Sequence, residues 1–238
     1  MDDQYTPKVN AAKELAEISK DFTNPRELIR ETIANSIDAT ASHILIEALK
    51  DDSSGDDELV VRIIDDGVGM TRSELEGFFD LGFSSKPNRE NAIGNKGHGT
   101  KITYNSSRIT VFSKSINGGP MLRATLERPR PALNLAVRQK GEPPAVNFSE
   151  VDKSGFSLLD EAISGTVVEI RGYDNNNWNA FAHAPLIDYI QWFTAWGRIH
   201  SAWGKTLPFS CTLTCIIHER ITNGFLGGMS LPNMSMAA

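Results

Sequence analysis

The chain has 238 residues, 40% of them hydrophobic and 23% charged, and a formal net charge of −6. That length can bury a full core, and the composition excludes an intrinsically disordered protein. The negative charge argues against a nucleic-acid-coating role, no apolar run reaches the ~20 residues that span a bilayer, and the acidic N-terminus is no signal peptide.

Residues 8–20 are predicted as a first helix, because Val9, Ala12, Leu15, Ala16 and Ile18 approximate a helical stripe. Thr23-Asn24-Pro25 then reads as a cap followed by proline in the first turn, so a second helix is expected to start near Pro25. Its apolar members are Leu28, Ile29, Ile33 and Ile37, whereas Glu31, Asn35 and Asp38, spaced by four and three, line one polar face. Ile44–Leu49 and Leu59–Ile64 are predicted strands, joined by the acidic turn Asp51 to Asp57. Thr71 and Glu74 make a capping box for a short helix through Phe79.

Residues 80–98 are rich in Gly, Ser, Asn and Lys and lack periodicity, so they read as a long mobile loop of the kind that carries function. A helix over Thr100 to Ser106 and strands at Arg108–Ser113 and Leu122–Glu127 follow, with a turn at Asn117-Gly118-Gly119. Residues 128–150, with four prolines, read as a connector. Gly165 to Arg171 is a strand, Pro185 to Trp203 an aromatic helix, and 208–217 another strand. The tail from Gly224 resembles no packed element, and the chain shows no internal repeats. Cys211 and Cys215 have no second pair to complete a metal site, which fits a reducing cytosol and a cytoplasmic location.

Three segments carry chemistry. Asp65 ends a buried strand, where a carboxylate without a donor is costly, and an adenine exocyclic amine is a suitable donor. Gly67 and Gly69 lack the Cβ atoms that would block a flat base, although a tight strand-to-helix turn needs glycine equally well. Gly94, Asn95, Lys96, Gly97, His98, Gly99, Thr100 and Lys101 combine exposed amides, a helix N-terminus and lysines, a pattern that favours phosphate but also describes a flexible loop. It matches neither the P-loop nor the dinucleotide fingerprint. On the second helix Asn35 can offer oxygen to Mg²⁺, and Glu31 one turn earlier can polarise a water. Viewed alone, that helix is better accounted for by a solvated polar face at Glu31 and Asp38.

Taken in order, Glu31-x-x-x-Asn35-Ser36-x-Asp38-Ala39, Asp65-x-Gly67-x-Gly69-Met70, Gly94-x-x-Gly97-x-Gly99 and Gly165-Thr166-x-Val168-x-Ile170 resemble the successive boxes of the GHKL superfamily. That group includes Hsp90, gyrase-like topoisomerases, MutL, MORC proteins and histidine kinases. The resemblance covers about residues 10–172. It implies an α/β (α+β) two-layer sandwich of Bergerat type, with helices on one face of a mixed, mostly antiparallel sheet. It also implies Glu31 as general base and Asn35 as ligand to Mg²⁺. Asp65 would bind the adenine of ATP, with Gly67, Gly69, Met70 and Thr166 completing the base pocket. Residues Gly94 to Lys101 would clasp the phosphates. Residues 80–98 would form a lid, in which Ser84, Ser85 and Lys86 resemble a segment of other members' lids. Asp38 would support the helix and pocket.

The expected domain arrangement is an ATP-binding unit over 1–205, with 206–238 as the start of a transducer-like domain or a tail. Splitting ATPases of this group usually take a γ-phosphate lysine from a following transducer, so the chain is expected to be the N-terminal portion of a longer protein. The leading expectation is an ATP-hydrolysing switch whose lid closure drives homodimerisation or domain rearrangement. The alternatives are a histidine-kinase-like phosphotransferase domain and a non-hydrolysing interaction module. The catalytic glutamate at position 31 and the absence of a phosphoacceptor helix favour the first. Nucleic acid is not indicated, because Arg123, Arg128, Arg130, Arg138 and Lys140 read as a solvated run.

Overall fold

The computed structural model describes residues 9–51, 57–81, 99–194 and 212–218. The element order is α1 (Ala11–Ile18), α2 (Glu27–Asp38), β1 (His43–Asp51), β2 (Glu58–Asp65), α3 (Arg72–Phe79), a 3₁₀ helix (Gly99–Tyr104), β3 (Arg108–Lys114), β4 (Met121–Glu127), α4 (Pro129–Gln139), β5 (Asn147–Val151), α5 (Ser157–Glu161), β6 (Gly165–Arg171), α6 (Trp178–Phe181), α7 (His183–Phe193) and β7 (Thr212–His218). The strands form one sheet in the order β5-β4-β3-β6-β2-β1-β7. Every neighbouring pair is antiparallel except β1 with β7, which run parallel. This is the mixed, mostly antiparallel sheet that the sequence boxes imply.

Alternation along the strands sends successive side chains to opposite faces. Val61, Ile63, Val111, Val168 and Ile170 therefore share one face, and on it they pack with Leu15 of α1, Ile29 and Ile33 of α2, Leu75 of α3, Leu133 of α4 and Leu186 of α7. The other face holds a small cluster of Ile64, Val167 and Met121 under Leu159 of α5. Beside that cluster Arg62 joins Glu47 and Glu169, and Arg171 joins Glu169, Asp51 and Glu58, so charge rather than packing finishes this face. Helices thus lie on one face, with the single turn of α5 on the other. No helix among the described residues is long and apolar enough to cross a membrane.

Several boundaries differ from expectation for identifiable reasons. α2 begins at Glu27, two residues after Pro25. Asn24 Oδ1 accepts from the Arg26 amide at 3.1 Å, and the Glu27 amide donates to the Asn24 carbonyl, so Asn24-Pro25 builds a turn ahead of the helix. The stretch 128–150 is not merely a connector, since it contains α4 and β5. Pro129 and Pro131 sit in the first turn of α4, where the amide they lack has no intrahelical partner, so proline marks a start here. The aromatic helix expected over Pro185 to Trp203 starts earlier, as α7 at His183, and α7 ends at Phe193, while residues 195–203 lie outside the described residues. The segment expected to be helical over Thr100 to Ser106 is the tighter 3₁₀ form. The strand expected at 208–217 is β7, and it is hydrogen-bonded into the same sheet as the rest.

Candidate functional site

The strand end of β2, the polar side of α2 and the 3₁₀ helix come together around Asp65 and Glu31. Asp65 is 6% exposed, and its two oxygens are held by different elements. Ser36 of α2 donates its hydroxyl to Oδ2 at 2.9 Å, and the Gly67 amide donates to Oδ1 at 3.0 Å. Burial raises the Asp65 pKa to about 6; these two donors and the Thr166 backbone oppose the shift, and the neighbouring Asp66 charge adds to it. A carboxylate has about four acceptor positions, so a site remains for one more donor, such as an exocyclic amine.

The turn after Asp65 is fixed by protein atoms. Gly69 has φ +65, and a Cβ there would overlap the Lys114 carbonyl. At Gly67 the nearest atoms to an added Cβ are Ala39 O at 2.8 Å and Ala39 Cβ at 2.9 Å. Close packing of the turn against α2 and β3 by itself requires both glycines, the turn alternative that the sequence left open. Met70, half-buried, donates its amide to Ser113 Oγ at 2.7 Å, and Ser113 lies within 3.4 Å of the Gly165 carbonyl. Thr166 is buried and sits opposite Asp65 in the β2–β6 register. Asp65, Gly67, Gly69, Met70 and Thr166 thus form one floor.

Glu31, Asn35 and Asp38 share the polar side of α2, with Asn35 exposed and the other two half-buried. Arg30 Nη2 stands 2.7 Å from Glu31 Oε1. On the other side, a Cβ at Gly99 would overlap Glu31 Oε2, so only glycine lets the 3₁₀ helix start against this carboxylate. Burial raises the Glu31 pKa; the Arg30 charge opposes the shift and Glu27 adds to it. A carboxylate held so is a better proton acceptor than an exposed one.

Lys101 is turned toward α3. It is fully buried and donates its ammonium to the Phe78 carbonyl at 2.6 Å and to Thr100 Oγ1 at 2.9 Å. Phe78 belongs to the last turn of α3, whose free carbonyls attract a cation. Thr100 Oγ1 donates to the same carbonyl at 2.9 Å. Both expected phosphate ligands therefore anchor α3 in this structure. Ser84, Ser85, Lys86, Gly94, Asn95, Lys96, Gly97 and His98, and with them the expected lid, lie outside the described residues. Among the described residues no group of three or more His, Cys, Asp or Glu side chains could hold a metal ion by itself. A Mg²⁺ ion would then have Asn35 as a protein oxygen and would complete its shell with water and phosphate oxygens, as this ion commonly does.

Ser36, Ser113 and Arg30 belong to the site, and the sequence reading gives none of them a role there. Ser36 had a readable signal, since it stands on the buried Ile29, Ile33 and Ile37 side of α2, where a hydroxyl needs a partner. Arg30 had one as well, since Glu27 stands three residues before it on the helix, whereas Ser113 had none, because its partners Met70 and Gly165 are distant in sequence.

A family model described as histidine kinase-, DNA gyrase B-, and HSP90-like ATPase matches residues 23–154. No curated protein matches the chain. The match runs from the residue before Asn24 through β5, takes in α2, the Asp65 turn and the 3₁₀ helix, and covers more than half of the sequence, so the chain belongs to the histidine kinase-, gyrase B- and HSP90-like ATPase family.

Proposed function

We propose that the chain binds ATP with Mg²⁺, hydrolyses it, and uses closure of residues 80–98 over the nucleotide to drive homodimerisation or rearrangement of a larger protein. The observation that carries this reading is the buried Asp65 carboxylate, held by Ser36 and Gly67 at a strand end with an acceptor position to spare. In this reading Asp65 accepts the adenine amine, and Thr166 and Met70 border the base. Glu31 takes a proton from the attacking water, with its affinity for that proton raised by burial. When bound through Asn35, Mg²⁺ neutralises phosphate charge. Asp38 steadies the end of α2 next to the turn that carries Asp65.

Calorimetric titration with Mg²⁺ and a non-hydrolysable ATP analogue tests the reading. The wild-type chain and Glu31→Gln are expected to bind with similar affinity, and Asp65→Asn is expected to lose binding. Only the wild type should release phosphate. Undiminished binding by Asp65→Asn would overturn the adenine assignment, and undiminished turnover by Glu31→Gln would overturn the base assignment.

A further inference from the structure

α7 reaches the polar side of α2 through one side chain. Tyr189, 4% exposed, donates its hydroxyl to Glu27 Oε1 at 3.0 Å. The other Glu27 oxygen accepts from Arg30 Nε at 2.7 Å and also meets Arg30 Nη2. That same Nη2 is the atom facing Glu31 Oε1. One guanidinium is therefore shared between two carboxylates, and a hydroxyl from a different helix fixes where one of them stands. The docking has a second tie, because Arg26 at the start of α2 donates Nε to the Ala180 carbonyl of α6 at 2.7 Å.

We propose that Tyr189, acting through Glu27 and Arg30, is a positioning residue for Glu31, so that α7 sets how much of the Arg30 cation the base receives. This rests on the reading of Glu31 as the base. The physical reason is competition for one cation. With the Tyr189 hydroxyl in place, Glu27 is pinned and partly satisfied, and Nη2 remains available to Glu31. Without it, Glu27 compensates by drawing the guanidinium toward itself, and Glu31 loses countercharge.

Few other groups face Glu31 among the described residues. From α2 they are Arg30 and Glu27, and from α7 Tyr189, whose hydroxyl meets Glu27 and also interacts with Arg30. The 3₁₀ helix presents the Gly99 backbone, while its Lys101 ammonium is turned to Phe78. Among the described residues the countercharge on Glu31 thus comes from Arg30, and a movement of α7 alters it without touching the nucleotide floor.

The test is a carboxyl-carbon NMR titration of Glu31 in the full chain, with Tyr189→Phe, Arg30→Gln and Arg30→Lys as variants. Arg30→Gln is expected to raise the Glu31 midpoint by about one pH unit or more, and Arg30→Lys to restore most of the wild-type value. Tyr189→Phe keeps the ring that stacks on Phe193 at 5.2 Å and removes only the hydroxyl. It is expected to shift the midpoint in the same direction by a smaller amount. The acidic limb of the kcat profile should move with each midpoint while KM for ATP holds. An unmoved midpoint in Tyr189→Phe would overturn the role of α7, and an unmoved midpoint in Arg30→Gln would overturn the whole chain of contacts. Failure of the base reading shows separately, as turnover that survives Glu31→Gln while the titration midpoints still shift.

Discussion

At Asp65, a carboxyl with an ordinary value of 3.8 is carried to about 6 because burial penalises its charge more than Ser36 and Gly67 relieve it. Between those two pH values the folded protein keeps a proton that the unfolded chain has released. Stability from this group is therefore full below pH 3.8 and declines until about pH 6, an effect of about 3 kcal/mol. Such a cost in the nucleotide-free protein is tolerable if the ionised form is what the ligand needs. Two outcomes are expected. Urea unfolding at pH 4 and pH 7 should show the wild type losing about 2 kcal/mol relative to Asp65→Asn, and parallel behaviour of the two would reject the raised value. Affinity for the ATP analogue should also fall about fivefold as the pH drops from 7 to 5, since a charge-assisted bond from the base amine becomes a neutral one. Constant affinity over that range would mean that Asp65 does not contact the base as an anion.

Among the elements, α3 shows how the same residues support two readings. Its start is written locally: Thr71 Oγ1 accepts from the Glu74 amide, and Glu74 Oε2 accepts from the Thr71 amide at 2.8 Å. Its end is written at a distance of more than twenty residues, by Lys101 on the Phe78 carbonyl. Burial lowers the Lys101 pKa to about 8 from 10.5, with Asp80 opposing. In the window from about 8 to 10.5 the unfolded chain holds the extra proton, so stability rises with pH there. Relative to Lys101→Met, the wild type is expected to gain about 2 kcal/mol between pH 7.5 and pH 10 in chemical unfolding. No relative gain would reject the buried ammonium. A tenfold loss of nucleotide affinity in the same variant would show instead that Lys101 leaves Phe78 for the phosphates. The contrast explains what was legible in the sequence. β1, β2, β3, β4 and β6 were readable because alternation or a continuous β-branched run is local, and Asp65 and Glu31 because their boxes are. α4 was obscured because Pro129 and Pro131 look like breakers until the helix start is known. The inward turn of Lys101 and the role of Ser113 were not readable, because each depends on a partner brought close only by the fold.

For the molecule as a whole, β7 is where local pattern and global pairing meet. It adds a parallel strand to an otherwise antiparallel sheet, with Thr212 to His218 in register opposite His43 to Leu49. β1 is otherwise an edge, and its residues Ile44, Ile46 and Ala48 carry part of the main core beneath α2. Its end at His43 is tied to the site as well: Asp66, next to Asp65, accepts from the amides of Ser42 and His43 at 2.7 Å each and from His43 Nδ1 at 2.8 Å. A disturbance of β1 is therefore transmitted to the turn that positions Asp65. Deleting residues 206–238 removes β7 and leaves the β1 amides and carbonyls open to a second chain. The truncated protein is expected to melt at least ~5 °C lower and to self-associate with concentration in light scattering. It should also bind the ATP analogue more weakly, because the Asp65 turn loses the support of β1. An unchanged melting temperature with a monodisperse truncated chain would show that β1 is stable as an edge, and that the Asp65 turn is held by α2 and β6 alone.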